Sequence, residues 1–486
     1  MQRASRFFWN GIALLLGRSA NLVPNLLIAI WVSRHLGVEA FGSYSAALGL
    51  LATFRLVAAL GFENLLPRQV GQNPSLTGKY HIHSLLIATV SAACLTVAMS
   101  ASALLFSYTD ETVYAVRVAS LALLPLSLTG VYESLFVGHE RAGYVAATNL
   151  LEVVGRLICS WMVLVQYRSV SAVISVYVLF RWVTATLEAG LFVARVDRPK
   201  LHMEWDFIKG LSKELFEFSA ITIMAGLFWN IGLVMLSILA NEHEIGIYNA
   251  AYKIVFVWSI VPTSLMAAVF PSMSRLCQVD QMEFQRLTFN ALRYLGSLAF
   301  PLAVGGAVLA NDLIMVLYKT EFQSSVLALQ ILIWALVPLF TNNVLYRILL
   351  ASHRQRATLR VTAVSLGTNL LLCGILIPVL GAWGAALGGF LATCVELVQY
   401  SWLTRCQLPV RAVLLSLGKF ALAGASMGVL MLLLRQSIGW VGTALLGVGL
   451  YIGISILLRA LTGEDMRVLW RLLVRTIPSP AEHSLQ

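Results

Sequence analysis

Eight basic residues of this sequence lie inside segments that are otherwise apolar enough to cross a membrane. A charged side chain at the centre of a membrane helix costs about 2.5 to 3.5 kcal/mol on insertion scales, so each should face water, a partner or a bound anion rather than lipid. Guanidinium groups present paired donors that match phosphate oxygens. The chemistry that these residues could do is therefore anion binding. They are Arg18, Arg55, Arg117, Arg156, Arg181, Lys253, Arg347 and Lys419.

The position of each basic residue along its segment indicates whether it is a candidate for anion binding. Arg347 and Lys419 lie near the predicted inner ends of their segments and Arg117 near an outer end, so we expect these three to reach the membrane surface. Arg156 follows Glu152 by four residues, a spacing that allows a structural ion pair on one helix. The others have no acidic residue three or four positions away. We therefore predict substrate-binding roles for Arg18, Arg55, Arg181 and Lys253, with Arg156 added as a fifth candidate.

Acidic residues near or within the apolar segments could couple transport to an ion gradient. A buried carboxylate can bind and release a proton or help to hold sodium. Glu63 and Glu188 are the two candidates for this role, although most such acids are simply paired charges. The scattered cysteines and histidines lack the spacing of a metal site, so no metal and no cofactor is predicted beyond a coupling ion, H⁺ or Na⁺.

Composition places the chain in a membrane. Its 486 residues are 59% apolar and 12% charged, against about 25% charged in an average soluble chain. Spans of about 20 residues are needed to cross the hydrocarbon. The N-terminal apolar run is interpreted as the first span rather than a signal peptide. Fourteen spans are predicted, near 11–34, 43–61, 82–107, 113–137, 143–167, 170–195, 215–239, 247–272, 288–310, 325–350, 357–380, 382–403, 411–434 and 439–462.

Basic residues between the spans are distributed on one side. If the N-terminus is inside, the inner segments hold 22 of the 34 basic residues and the outer segments hold four. Lys and Arg resist translocation, so both termini are predicted to be cytoplasmic. The net charge of +11 follows from this asymmetry, which removes the need to invoke nucleic-acid binding.

Two parts of the chain repeat each other at an offset of 204 residues. The hexapeptide GSYSAA at 42–47 aligns with GIYNAA at 246–251, and the same register places Pro67 on Pro271. An all-α fold of two pseudo-symmetric six-helix lobes is predicted, with a binding site between them. The predicted parts are an N-terminal lobe at 1–195, a cytoplasmic linker at 196–214, a C-terminal lobe at 215–403, helices 13 and 14 at 411–462 and a cytoplasmic tail at 463–486.

Several motifs resemble one transporter family. The segments LGVEAFGSY (36–44), LGFENLLPR (60–68), GIYNAAYK (246–253), VFPSMSRL (269–276) and TNLLLCGILIPVLGAWGAA (368–386) are similar to the oligosaccharide flippases of Wzx type. This group belongs to a superfamily that also holds lipid II flippases and multidrug antiporters. The resemblance implies movement of a polyprenyl-pyrophosphate-linked oligosaccharide, a repeat unit of a surface polysaccharide such as O-antigen, to the outer leaflet of the bacterial inner membrane. It also implies V-shaped lobes around a cationic cavity.

Three alternatives stay open. A lipid II flippase would also carry a pyrophosphate cargo. A multidrug antiporter recognises cations and often has an acid in its first span, where this chain has Arg18. A membrane polymerase or ligase needs a sizeable outer loop, which the sequence lacks, so we predict that the protein is not an enzyme. The expected partners are the lipid-linked oligosaccharide, membrane lipids, and a polysaccharide polymerase with chain-length proteins. The cargo's sugars, the coupling ion, the role of helices 13 and 14 and the oligomeric state are not predicted.

Overall fold

The protein was analysed as a computed structural model. The structure describes the backbone of residues 2–106, 108–196, 204–408 and 410–460, and the side chains of these residues except 2–22, 64, 213–214, 216–222 and 436. Within these ranges it consists of helices and short connections, with no strand. Twelve of the described helices are long and apolar enough to cross a membrane. The protein is thus a multi-pass membrane protein, as predicted.

The first half of the chain forms one lobe. Its first helix, α1, contains the first two predicted spans as two arms, because Gly37 takes a positive φ of 85° that interrupts the helical backbone. A short amphipathic helix, α2, lies between the second and third predicted spans. The helices of this lobe are α1 (Gln2–Ala58), α2 (Phe62–Gln72), α3 (Thr77–Ser102), α4 (Asp110–Ser120), α5 (Leu123–Gly138), α6 (Ala142–Tyr167) and α7 (Val170–Arg195).

The second half repeats this plan and adds a terminal pair. Its helices are α8 (Trp205–Leu239), α9 (Glu242–Val257), α10 (Ile260–Val279), α11 (Gln281–Val308), α12 (Ala310–Tyr318), α13 (Ser325–Leu332), α14 (Leu336–Ala351), α15 (Gln355–Leu380), α16 (Ala382–Thr404) and α17 (Val410–Leu457). Helix α17 is bent at Gly439, where φ is 68°, and its two arms are the last two predicted spans. The second part of the predicted linker 196–214 is helical, because α8 begins at Trp205.

Three of the predicted spans are broken, and proline explains each break. A proline at position i cannot donate to the carbonyl at i−4, and its ring crowds that carbonyl. Pro125 follows the α4–α5 junction at Leu121, and Pro262 follows the α9–α10 junction at Trp258. Pro338 follows a 3₁₀ turn between α13 and α14. By contrast, Pro24 and Pro301 lie within uninterrupted helix.

The two lobes meet where the second arm of α1 crosses α9, and close glycines make this contact. A Cβ atom on Gly42 would lie 1.8 Å from the carbonyl oxygen of Glu242, and one on Gly246 would lie 2.4 Å from that of Val38. Adding 204 to 42 and 38 gives 246 and 242, so the two contacts are copies of each other. The repeat seen in the sequence is therefore a pseudo-two-fold relation between helices that touch.

The last helix packs on the second lobe. Phe420, Met427 and Met431 of α17 are buried with Val304 of α11 and with Tyr451 from the second arm of α17. The hydroxyl of Tyr451 donates to the backbone oxygen of Ser297 at 2.9 Å. Predicted spans 13 and 14 are thus attached to α11, outside the contact between the lobes.

Candidate functional site

A cavity of about 890 Å³ lies between the two lobes. Helices α1, α2, α5, α6 and α7 supply the wall from the first lobe, and α8, α9, α10, α14, α15 and α16 supply the wall from the second. The cavity runs from Ser45 and Asn249 at one end to Glu63 and Thr358 at the other. Its charged lining residues are five cations and two carboxylates, so the lining carries an excess of positive charge. They are Arg55, Arg156, Arg181, Lys253, Arg347, Glu63 and Glu396.

Arg55 and Lys253 present their charges to the cavity without a close counterion. Arg55 lies in the last turn of α1 and is exposed, and Lys253 lies in the middle of α9. Among the described side chains, no carboxylate lies within 4 Å of either cation and no hydrogen bond occupies them. Both residues are sequence-predicted candidates, and the structure places both on the cavity wall.

Arg156 and Arg181 share one carboxylate. Nε of Arg156 lies 3.4 Å from Oε1 of Glu152, and Nη1 of Arg181 lies 2.9 Å from Oε2 of the same residue. The Arg156 guanidinium also donates to Oδ1 of Asn25 at 2.8 Å. Each guanidinium lies over the ring of Tyr177, at 5.3 and 5.2 Å from its centroid. One carboxylate facing two guanidinium groups leaves a net positive charge at this wall.

Arg181 has an acidic partner that its neighbours in the sequence do not reveal. The residues three or four positions from Arg181 lie on its own helix and none is acidic, whereas Glu152 reaches Arg181 across the α6–α7 contact. Arg156 does pair with Glu152 as its spacing indicated. Both arginines still line the cavity, so the pairing orients them without removing them from it.

The structure also corrects the expectation for Arg347, which was predicted to reach the membrane surface. Arg347 lines the cavity instead. Its guanidinium lies 5.0 Å from the ring centroid of Phe270 and 5.6 Å from that of Tyr346. Glu396 lines the cavity too and accepts a hydrogen bond from Nδ2 of Asn342 at 2.9 Å. Neither Glu396 nor Asn342 was a sequence candidate, because a single polar residue in an apolar helix does not reveal which way it faces. Arg18 belongs to the segment whose side chains lie outside the described residues.

The two coupling candidates occupy different environments. Glu63 lines the cavity and also a smaller pocket shared with Arg55, Glu133 and Arg181. Glu188 is fully buried behind the wall, where the hydroxyl of Thr148 donates to its Oε1 at 2.9 Å. Its Oε2 has no hydrogen-bond partner among the described groups.

Lobe-to-lobe hydrogen bonds close one end of the cavity. Nδ2 of Asn249 donates to Oγ of Ser45 at 2.5 Å. Beyond this contact, Oε1 of Glu242 accepts from the backbone nitrogen of Thr109 at 2.8 Å and from the hydroxyl of Thr112 at 2.9 Å. The charge asymmetry of the loops predicts that this end faces the outside.

The described side chains do not form a metal site. Among them, no group of three His, Cys, Asp or Glu residues lies close enough together to hold a metal ion. The cysteines are free thiols in the described structure. The arrangement can bind an anion electrostatically, and its neutral polar and aromatic groups can contact an uncharged part of the same ligand.

Comparison with known proteins identifies relatives by sequence and by fold. A probable flippase AglR from Haloferax volcanii is 27% identical over 163 residues, which are 33% of this chain and 34% of that protein. The match thus spans about a third of this relative. A structure of the lipid II flippase MurJ in an inward closed conformation superposes with a TM-score of 0.75 at 14% identity, covering 96% of this chain and 100% of the other.

A second fold neighbour is a multidrug resistance MATE family transporter in an inward-facing conformation, with a TM-score of 0.65 at 15% identity over 80% of this chain and 94% of the other. At these identities both superpositions show the fold alone. The family model described as "Polysaccharide biosynthesis protein" matches residues 8–277, which is more than half of the chain. The protein therefore belongs to the polysaccharide biosynthesis protein family.

Proposed function

We propose that the protein is a flippase that moves a polyprenyl-pyrophosphate-linked oligosaccharide from the inner to the outer leaflet of the bacterial cytoplasmic membrane. The observation that carries this proposal is the convergence of Arg55, Arg156, Arg181 and Lys253 on one cavity between two lobes. The named activity of the AglR relative and the membership of the polysaccharide biosynthesis family support it.

The pyrophosphate is the part of the cargo that these cations would hold. Two of them, Arg55 and Lys253, have no carboxylate within 4 Å among the described residues, so binding an anion there breaks no existing ion pair. Arg156 and Arg181 are already oriented by Glu152 and Tyr177, which lowers the entropy lost when they bind.

The closed outer end supports alternating access. Loading from the cytoplasm requires a cavity sealed at the outer end, and Ser45–Asn249 and Glu242–Thr109 make that seal. Release then requires these contacts to open while the lobes rock around the cavity. The protein would lie in the inner membrane with both termini in the cytoplasm, and would hand its cargo to a polysaccharide polymerase acting with chain-length proteins.

Neutralising the unpaired cations tests the proposal. Arg55→Gln and Lys253→Gln should each abolish export of surface polysaccharide in cells, with unchanged abundance in the membrane. Arg117→Gln is the matched control, because Arg117 is exposed in α4 and does not line the cavity. Normal export by both cavity variants would overturn the proposal.

A lipid II flippase is the second candidate, because its cargo also carries a pyrophosphate that the same cavity cations could bind. Depletion separates the two, because loss of lipid II export is lethal whereas loss of one surface polysaccharide usually is not. A multidrug antiporter is disfavoured by five cations against two carboxylates in the lining, since positive charge repels cationic drugs.

A further inference from the structure

The second lobe contributes a cavity wall of aromatic rings. Tyr248, Tyr252 and Phe256 follow each other at four-residue spacing on α9, with ring centroids 5.7 and 5.5 Å apart and interplanar angles of 17° and 25°. Trp229 of α8 meets Phe256 edge-on at 6.4 Å. Trp229, Tyr252 and Phe256 line the cavity, and we call these three residues the aromatic wall.

The aromatic wall is held in place by the protein itself. The hydroxyl of Tyr252 donates to the backbone oxygen of Trp229 at 3.0 Å, which ties α9 to α8. Trp229 is 37% exposed and lines the cavity. Its ring thus offers apolar area to whatever fills the cavity.

Neutral amides lie opposite and beside these rings. Asn249 and Asn342 use their amide nitrogens within the protein, on Ser45 and on Glu396. Asn343 of α14 also lines the cavity, and it has no hydrogen-bond partner among the described groups. A primary amide supplies both donors and an acceptor, which suits hydroxyl groups.

The chemistry of this wall fits a sugar. A pyranose ring has an apolar C–H face that packs on the electron-rich face of an aromatic ring, and hydroxyl groups at its edge that bind amides. A polyprenyl tail is a hydrocarbon and could not form hydrogen bonds with the amide of Asn343. A cationic drug bound to this wall would be repelled by Lys253 and Arg347, which line the cavity on the same lobe.

The aromatic wall is continuous with the cation cluster. Lys253 directly follows Tyr252 on α9 and lines the same cavity as Arg156. One helical turn is about 5.4 Å, so Phe256 lies within one turn of Lys253. A phosphate held by Lys253 would therefore place a directly attached sugar beside Phe256 and Trp229.

We propose that Trp229, Phe256 and Asn343 form a glycan subsite that recognises the sugars next to the pyrophosphate. This inference rests on the proposed flippase function and assigns the two ends of the cargo's head to the two lobes. The first lobe with Lys253 holds the phosphates, and the second lobe selects the sugar.

Binding to purified protein tests the subsite with two kinds of probe. One is farnesyl pyrophosphate, and the other is a small set of farnesyl pyrophosphates carrying a hexose or an N-acetylhexosamine, all compared by calorimetry. The wild type should bind at least one sugar-bearing probe more tightly than farnesyl pyrophosphate. Trp229→Leu and Phe256→Leu should each reduce that preference by about threefold to tenfold, the range expected for a lost ring contact, and leave farnesyl pyrophosphate binding unchanged.

Two matched variants separate the explanations. Trp161→Leu is the control, because Trp161 is 41% exposed on α6 and does not line the cavity. Arg55→Gln should weaken all probes equally. The subsite is overturned if the wild type binds every probe with the same affinity, or if the Trp229 and Phe256 variants weaken farnesyl pyrophosphate as much as the sugar probes. If the wild type binds no probe at all, the flippase proposal fails as well.

Discussion

Asn249 donates a hydrogen bond to Ser45 at 2.5 Å, and these residues hold the same position in the two copies of the repeated sequence, 204 residues apart. Equivalent residues can touch only close to the axis that relates two copies, as in an isologous contact between identical subunits. The pseudo-two-fold axis therefore passes beside this pair. The same contact closes the end of the cavity that is predicted to face outward, so the symmetry axis and the proposed gate coincide.

The glycine contacts beside this axis predict how the gate can be opened. Gly42→Ala would place a methyl group 1.8 Å from a backbone oxygen of Glu242, and Gly246→Ala one at 2.4 Å from that of Val38. Backbone cannot move aside as a side chain can, so either change should force the lobes apart at this end. We expect faster labelling of a single cysteine, Leu48→Cys in a cysteine-free background, by an impermeant maleimide added from outside.

Gly367→Ala is the control for this experiment, because a Cβ at Gly367 would meet nothing within 4 Å. Labelling that stays at the wild-type rate in both gate variants, with normal abundance, would contradict the assignment of the crossing as a gate.

Glu152→Gln should destabilise the first lobe. Glu152 is 2% exposed and is the shared partner of Arg156 and Arg181. Removing one member of a buried ion pair costs about 3 to 5 kcal/mol, because the remaining charge is left without compensation. Thermal unfolding in detergent should show a lowered transition temperature. Adding Arg156→Gln should restore part of the loss, whereas Glu111→Gln, at an exposed site on α4, should change little.

Glu188→Gln tests proton coupling. Glutamine keeps the size of the side chain and the oxygen that accepts from Thr148 at 2.9 Å, so folding should be preserved. If Glu188 carries the coupling proton, the rate of cargo transport by the Glu188→Gln variant in reconstituted vesicles should no longer change when a pH gradient is imposed. Glu63→Gln, made in parallel, asks whether the cavity-lining acid contributes instead. An unchanged response in both variants would remove both residues from the coupling role.

Arg347→Gln should reduce export at least tenfold, because Arg347 lines the cavity with the other cations. Lys419→Gln is the comparison, since both residues were expected at the membrane surface and Lys419 lies on α17, outside the cavity lining. Export by complementation of a deletion strain measures the difference. Equal export by the two variants would contradict a role of Arg347 in cargo binding.

The sequence by itself determined the fold class and much of the plan of the chain. Apolar runs of about 20 residues dictate membrane helices, because backbone polar groups must be satisfied inside the hydrocarbon. Pro125, Pro262 and Pro338 coincide with the helix breaks, because each lacks the N–H that would bond to the carbonyl four residues earlier. The matched segments at 42–47 and 246–251 also predicted that two equivalent helices exist.

Only the tertiary structure decided which helix faces meet. Spacing along one helix could relate Arg156 to Glu152, but Arg181 reaches the same carboxylate from a neighbouring helix. In the same way Arg347, Glu396 and Trp229 look like isolated residues in apolar segments, and packing alone turns them toward one cavity. Hydropathy and helical periodicity are local properties, whereas a cavity is made by side chains from distant segments that share no local signal.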